Sequence, residues 1–286
     1  MKNDILLFKH LLFYDIKCSL KKYWLLMFFS FFLVILCCLY LYNKYSFYEI
    51  YSQDLLIPWK DQSLTFGDYF VFVFKGMDIF IEDFSILKID SLYLFISLFV
   101  SYLTMVYPLK DLNGFGAQVL IRSQKRYLWW IAKCCWCCLI IIIYYCFIYL
   151  VIFITCLILS GSLSLLPTDN LKVILESHTY IPMSLTFTDF IRPIITLISF
   201  SALQLFLILI IGPIISYLIT IIHLVSSIFV YHPMFLGNYL MILRNNSTYQ
   251  IQNWLLIVVL ITVFSYIGGV LLFHKFDCQI NEGGII

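Results

Sequence analysis

The chain has 286 residues, of which 63% are hydrophobic and 12% charged, with a mean hydropathy of +0.97 and a formal net charge of +2. A water-soluble domain carries about 25% charged residues and has no interior large enough for so much apolar surface, so a soluble globular protein is excluded and lipid must be the solvent. The net charge is too small to argue for a nucleic-acid partner.

A membrane-crossing helix needs about 20 mainly apolar residues. Six such runs are predicted, at residues 23–41, 91–109, 127–159, 192–211, 213–231 and 254–273. They are continuous rather than alternating. Backbone groups in hydrocarbon must pair internally, so the runs read as helices and not as barrel strands. The expected fold class is therefore all-α, a polytopic membrane protein with six transmembrane helices. With no internal repeat or flexible linker, residues 1–286 form one membrane domain.

Ahead of the first run, Ile5, Phe8, Leu12 and Ile16 recur at three- and four-residue spacing. Lys9, Asp15, Lys17, Lys21 and Lys22 fall largely off that stripe. The pattern predicts an amphipathic helix over residues 1–22 lying in the membrane interface, as an anchor or a docking element, with Lys21 and Lys22 as interfacial anchors. The first apolar run starts too far into the chain for a signal peptide, and no small-residue cleavage site follows it, so it is read as retained.

Between the first two runs the chain is acidic, with Glu49, Asp54, Asp61, Asp68, Asp78, Glu82, Asp83 and Asp90. Basic residues mark the cytoplasmic side, so this segment faces outward and the lysine-rich N-terminus inward. Its stretch "SLTFGDYFVFVFKGMDIFIEDF" reads as a strand-like or re-entrant element packed on the outer ends of the spans. It is either a solvated cap or a recognition surface for a cationic substrate.

The segment "PLKDLNGFGAQVLIRSQKRYLWW" after the second run is basic and should be cytoplasmic. Pro108 is expected to end the second span. Asn113, Gly114 and Gly116 read as a turn or hinge after Asp111, and "AQVLIRSQKRYL" as a short helix, apolar on one side and basic on the other. Arg122, Lys125 and Arg126 can contact lipid phosphates or a protein partner. No G-x-x-x-x-G-K-[ST] occurs in the chain, so it does not itself bind ATP through a P-loop. Trp129 and Trp130 follow the basic cluster and suit the interface depth as anchors.

Next come Cys134, Cys135, Cys137 and Cys138. One straight helix cannot wrap a metal ion, and no matching His or Cys pair occurs elsewhere, so they read as small apolar residues and not as a metal site. None of the ten cysteines falls in an expected outer loop, which argues against a disulfide framework.

The fourth and fifth runs share one apolar stretch and should form a tight hairpin, with Gly212-Pro213 near its tip. Polar residues inside spans are functional suspects, and Gln204, Thr220 and His223 are candidates for a translocation path or for bonds across helices. No H-E-x-x-H or G-x-S-x-G motif supports an intramembrane hydrolase. The segment "YHPMFLGNYLMILRNNSTYQIQNW" should dip into the outer interface before the sixth run, and the C-terminus, with His274 and Lys275, should return to the cytoplasm.

Three stretches carry a resemblance: "FGDYFVFVFKG" at residues 66–76, "YPLKDLNGFGAQVLIRSQKRYLWWIAK" at 107–133 and "GNYLMILRNN" at 237–246. The chain resembles the ABC-2-type permease subunits of Gram-positive bacteria, of the peptide or bacteriocin export and immunity type. The resemblance implies a plasma-membrane permease with both termini cytoplasmic and no enzymatic activity of its own. It would be driven by a separate ATPase subunit that binds ATP and Mg, and would pair with a second permease copy or a relative. The segment from Asp111 to Arg126 would include the coupling helix, and Lys9 to Lys22 would lie in the connecting helix. The expected cargo is a hydrophobic or amphipathic peptide. The alternative is an ATP-independent membrane immunity or sensor protein that binds a peptide or lipid.

Overall fold

The computed structural model describes residues 2–51, 59–60, 62–77, 91–122, 126–159, 161–175, 182–244 and 248–275. Among these the chain is all-helical, and the strand-like pairing found is a bridge between Thr65 and Ser162. Five helical stretches are long and apolar enough to cross a membrane: Ile5–Tyr51, Leu92–Leu112, Arg126–Ile158, Phe187–Ile211 and Trp254–Leu272. The protein is therefore an all-helical membrane protein. The expected fifth run forms a shorter apolar helix, Pro213–Phe229. Its 17 residues reach about 26 Å, just under a hydrocarbon core of about 30 Å.

Helix α1 runs unbroken over Lys2–Tyr51. The segment expected as an interfacial helix, residues 1–22, and the first span are continuous in it. No glycine or proline interrupts the segment, so nothing in the sequence forces a bend. The buried positions Leu11, Asp15, Ser19, Tyr23, Met27, Ser30, Val34, Cys38, Leu41 and Tyr45 form one stripe from end to end. That stripe packs along α5, Arg126–Ile158. Asp15 lies on it and not on the polar face assigned from the sequence.

Helix α2, Phe66–Phe74, is buried at every position. The expected strand-like alternative is thus replaced by a helix, and the cause is local. Asp68 accepts a hydrogen bond from the Thr65 backbone N–H at 2.8 Å while the Thr65 hydroxyl accepts from the Asp68 N–H at 3.1 Å. Such a reciprocal cap stabilises a helix start by about 1 kcal/mol. Asp68 also accepts from the Thr168 N–H at 2.7 Å, tying α2 to the segment after α5. Burial pushes its carboxyl up from the ordinary carboxylate range, against these donors, which favour the charged form.

Helix α3, Ser91–Leu112, contains Pro108 one turn before its end. Proline removes one ladder hydrogen bond but does not stop this helix, contrary to expectation. The turn beyond it is held by tertiary bonds from Tyr107 and Asp111. Two turn residues, Asn113 and Gly114, lead into α4, Phe115–Arg122, and α5 follows at Arg126. Helix α6, Asn170–Leu175, is one short turn, with Asn170 hydrogen-bonded to both backbone groups of Lys60.

Helices α7, Phe187–Ile211, and α8, Pro213–Phe229, meet at a single residue, Gly212. Its φ of +83° suits glycine, and Pro213 at the first helical position starts α8. The hairpin boundary is where the sequence put it. After α8 come two short 3-10 turns, Leu236–Leu240 and Ile242–Arg244, and then α9, Thr248–Lys275, which packs along α7 and α5. Arg244 is 1% exposed. Its guanidinium donates to the carbonyls of Met77 at 2.9 Å, Ile228 at 2.6 Å and Ser227, and to the Asn238 side-chain oxygen at 2.5 Å.

Candidate functional site

Three helices meet at one buried point: Asp15 from α1, the i, i+4 pair Tyr107 and Asp111 from α3, and the i, i+4 pair Trp129 and Lys133 from α5. Residues four apart share a helix face, so each pair reaches the junction together. At the centre, Lys133 Nζ lies 2.5 Å from Asp15 Oδ1 and 2.7 Å from Asp111 Oδ2. The Tyr107 hydroxyl donates to the same Asp15 oxygen at 2.7 Å, and Trp129 Nε1 donates to Asp111 at 3.0 Å. The ammonium also lies 5.0 Å from the Tyr107 ring centroid and 5.1 Å from that of Trp129. One turn on, Trp136 Nε1 donates to the Ser19 hydroxyl at 2.9 Å.

The side chains of Lys133 and Asp15 are each 2% exposed. Ions removed from water at this depth persist only when paired and hydrogen-bonded. Two carboxylates face one ammonium, and among the described residues Asp15 Oδ2 has no hydrogen-bond partner.

Helix α4 is fitted onto this junction through Gly116. A Cβ there would stand 2.3 Å from Asp111 Oδ2 and 2.8 Å from Trp129 Nε1. Only a residue without a side chain lets the first turn of α4 come so close. The Tyr14 and Phe115 rings, 4.7 Å apart, join α4 to α1 on the other side. The elbow between α3 and α5 is thus a packed unit.

Several predicted site residues gather here and others do not. Asp111 belongs to the buried ion cluster and is not a free surface acid. Asn113 and Gly114 make the turn, while Gly116 lies inside α4 and serves close packing. Arg126 is partly buried at the start of α5. Lys125 lies outside the described residues, as does the side chain of Arg122. Lys21 and Lys22 are exposed. Trp129 and Trp130, expected to meet lipid headgroups, are each 2% exposed and hold protein instead. Trp130 donates to the Tyr266 carbonyl at 3.3 Å, and its ring lies where a Cβ on Gly269 would be.

The path candidates lie on α7 and α8, which pack against each other. Thr220 donates back to the Tyr217 carbonyl at 2.6 Å. His223 Nε2 accepts from the Leu236 N–H at 3.1 Å, and its ring lies between Phe200 and Phe235. Gln204 is buried, and neither atom of its amide has a partner among the described residues. In the cysteine cluster, Cys138 Sγ lies 3.1 Å from the Tyr266 hydroxyl. Among the described residues no three His, Cys, Asp or Glu side chains are placed to hold a metal ion.

Sequence reasoning missed Asp15, Tyr107 and Lys133 as a group. Lys133 sits inside the predicted third span, where an ionisable residue marks function by default. No family model, curated protein or solved structure matches this chain.

Proposed function

We propose that the chain is the permease subunit of an ATP-driven transporter of the ABC-2 type, with α4 as the element that receives force from a separate cytoplasmic ATPase. The observation that supports this most is the elbow. Helix α4 joins α3 through two residues and α5 through a short link. Its base is packed by Gly116 onto a junction where Lys133 binds carboxylates from α1 and α3. A push on α4 would reach α1, α3 and α5 through these packed contacts, as transmission between two packed states requires.

In this reading the chain has six spans, with α8 as the fifth, and the elbow and both termini face the cytoplasm of a cell bounded by the plasma membrane. ATP and Mg bind the partner. A second permease copy or a relative completes the path, and a hydrophobic or amphipathic peptide is the cargo. Asp111, Asn113, Gly114 and Gly116 shape the coupling segment. Arg122, Lys125 and Arg126 provide its basic face. Gln204, with an unpartnered amide in hydrocarbon, is the path residue with the strongest physical claim.

The experiment is affinity purification of the full chain in mild detergent from its native membrane. A P-loop ATPase should co-purify, and the double charge reversal Arg122→Glu and Arg126→Glu should release it while the chain stays monodisperse. An ATPase that stays bound to that variant, or none bound to the wild type, would sink the assignment. The second of these outcomes would favour an ATP-independent immunity or sensor protein.

A further inference from the structure

Beside the ion cluster a groove of about 480 Å³ opens between α1 and the elbow. Lys21 and Lys22 from α1 and Lys110 from α3 line it, together with Tyr14, Phe115 and Asp111. All three lysines are exposed. Lys110 lies 5.9 Å from the Tyr23 ring centroid. None of the three pairs with an acid among the described residues. The acid in the wall, Asp111, is already bound to Lys133 and Trp129. The groove therefore presents unneutralised positive charge in a concave, partly aromatic setting, which selects an anion.

The surface that continues from the groove indicates which anion. Helical spacing carries the face of Lys21 on to Trp24, Leu25, Phe28 and Phe32. Trp24, Leu25, Phe28 and Phe32 are 55%, 66%, 65% and 54% exposed. In water such an apolar strip would be costly, and in a membrane it faces acyl chains. The face of Lys21 thus places one ammonium directly above a hydrocarbon-facing aromatic strip, with the Lys22 ammonium beside it in the groove. That is the outline of an amphiphile with an anionic head. A flat acidic protein surface would meet the lysines but leave the strip unmatched.

We infer that this groove binds the phosphate of an anionic phospholipid, with Lys21, Lys22 and Lys110 on the headgroup and the acyl chains along Trp24, Phe28 and Phe32. Lys110 adjoins Asp111, and Phe115 begins α4, so the bound headgroup braces the same elbow. The inference does not depend on a partner ATPase.

The test is native mass spectrometry of the purified full chain in zwitterionic detergent, titrated with phosphatidylglycerol or with phosphatidylcholine. Near a membrane surface each lysine is worth about fivefold in affinity for an anionic lipid. The triple variant K21Q/K22Q/K110Q should therefore weaken phosphatidylglycerol binding by roughly 100-fold. K9Q/K17Q, on the same helix outside the groove, should change it less than about twofold. K21Q and K22Q singly, each at an exposed position and each expected to cost about fivefold, decide the matter if the triple variant does not fold. Equal affinity for the two lipids, or wild-type affinity in the glutamine variants, would overturn the inference. So would displacement by millimolar inorganic phosphate, which would mark a free-phosphate site. Capture of polyglutamate with no preference for phosphatidylglycerol would mark an acidic protein partner instead and would likewise overturn it.

Discussion

Removing Lys133 should harm the protein far more than removing either acid it binds. At an effective dielectric of about 20, contacts of 2.5 and 2.7 Å are each worth about 6–7 kcal/mol of gross attraction. The two carboxylate oxygens lie at most about 5 Å apart and repel by about 3 kcal/mol on the same scale. Asp15→Asn gives up one attraction but relieves the repulsion, and Lys133 keeps Asp111. Lys133→Met gives up both attractions and leaves two buried carboxylates facing each other. Desolvation makes the net values much smaller than the gross ones, but the order survives. Breaking a buried ion pair from one side typically costs about 3–5 kcal/mol, so K133M should fall in or above that range and D15N below it. The triple variant D15N/D111N/K133M, neutral throughout, should recover most of the loss. Thermal unfolding of the purified chain in detergent, followed by loss of monodispersity, measures all of these. The reasoning fails if D15N is the more damaging single change, or if the triple variant is no better than K133M.

Other changes separate packing from charge. Gly116→Ala should cost about 1–3 kcal/mol, because its Cβ overlaps Asp111 and Trp129; the same unfolding assay reads it, and wild-type stability would mean that α4 is not seated as described. Gly212→Ala meets no atom within 4 Å, so it should cost only the strain of a positive φ, about 1–3 kcal/mol, and that cost should simply add to the cost of Gly116→Ala in the double variant. Arg244→Met removes the donors to three carbonyls and should cost at least about 2–3 kcal/mol, with Arg244→Lys rescuing little because an ammonium cannot reproduce the planar fork. Full rescue by lysine would show that charge alone matters there.

Element positions were legible where a strong local signal exists. The third helix was expected at residues 127–159 and spans Arg126–Ile158, since an unbroken apolar run leaves the backbone one option. The α7–α8 boundary was legible because Gly212 and Pro213 act through their own φ angles. Three features were not. The continuity of α1 through residue 22 depends on a buried stripe whose partner is α5, more than a hundred residues away. Helix α2 looked strand-like because its aromatic and β-branched residues favour strands in isolation. Its Thr65–Asp68 cap and complete burial outweigh that preference. The ion cluster is hidden in plain composition: Asp15 reads as part of a polar helix face, Asp111 as part of a hinge segment and Lys133 as the start of a span, and nothing in the pattern says that the three meet. Orientation rules count charges without asking which ones meet.

Two of the buried cations, Arg244 and Lys133, hold their ends of the fold by different chemistry, and the difference follows from side-chain geometry. Arg244 spreads several donors over carbonyls at the end of α8 and at Met77, together with one amide oxygen, and so staples backbone to backbone. Lys133 is a compact charge and gathers carboxylates from separate helices. Backbone carbonyls cannot leave their helices, so the Arg244 junction resists rearrangement. Side-chain carboxylates can rotate away, and Lys133 can hold one acid while releasing the other at a cost reduced by the repulsion the two acids otherwise feel. A joint that changes partners without exposing an unpaired ammonium would suit the elbow movement that the proposed permease role calls for. On this ground D111N should alter coupling more than stability, whereas R244M should do the reverse. A partner-stimulated ATPase assay, run beside thermal unfolding on both variants, would separate the two roles, and parallel losses in both assays for D111N would argue that the ion cluster is only a structural clamp.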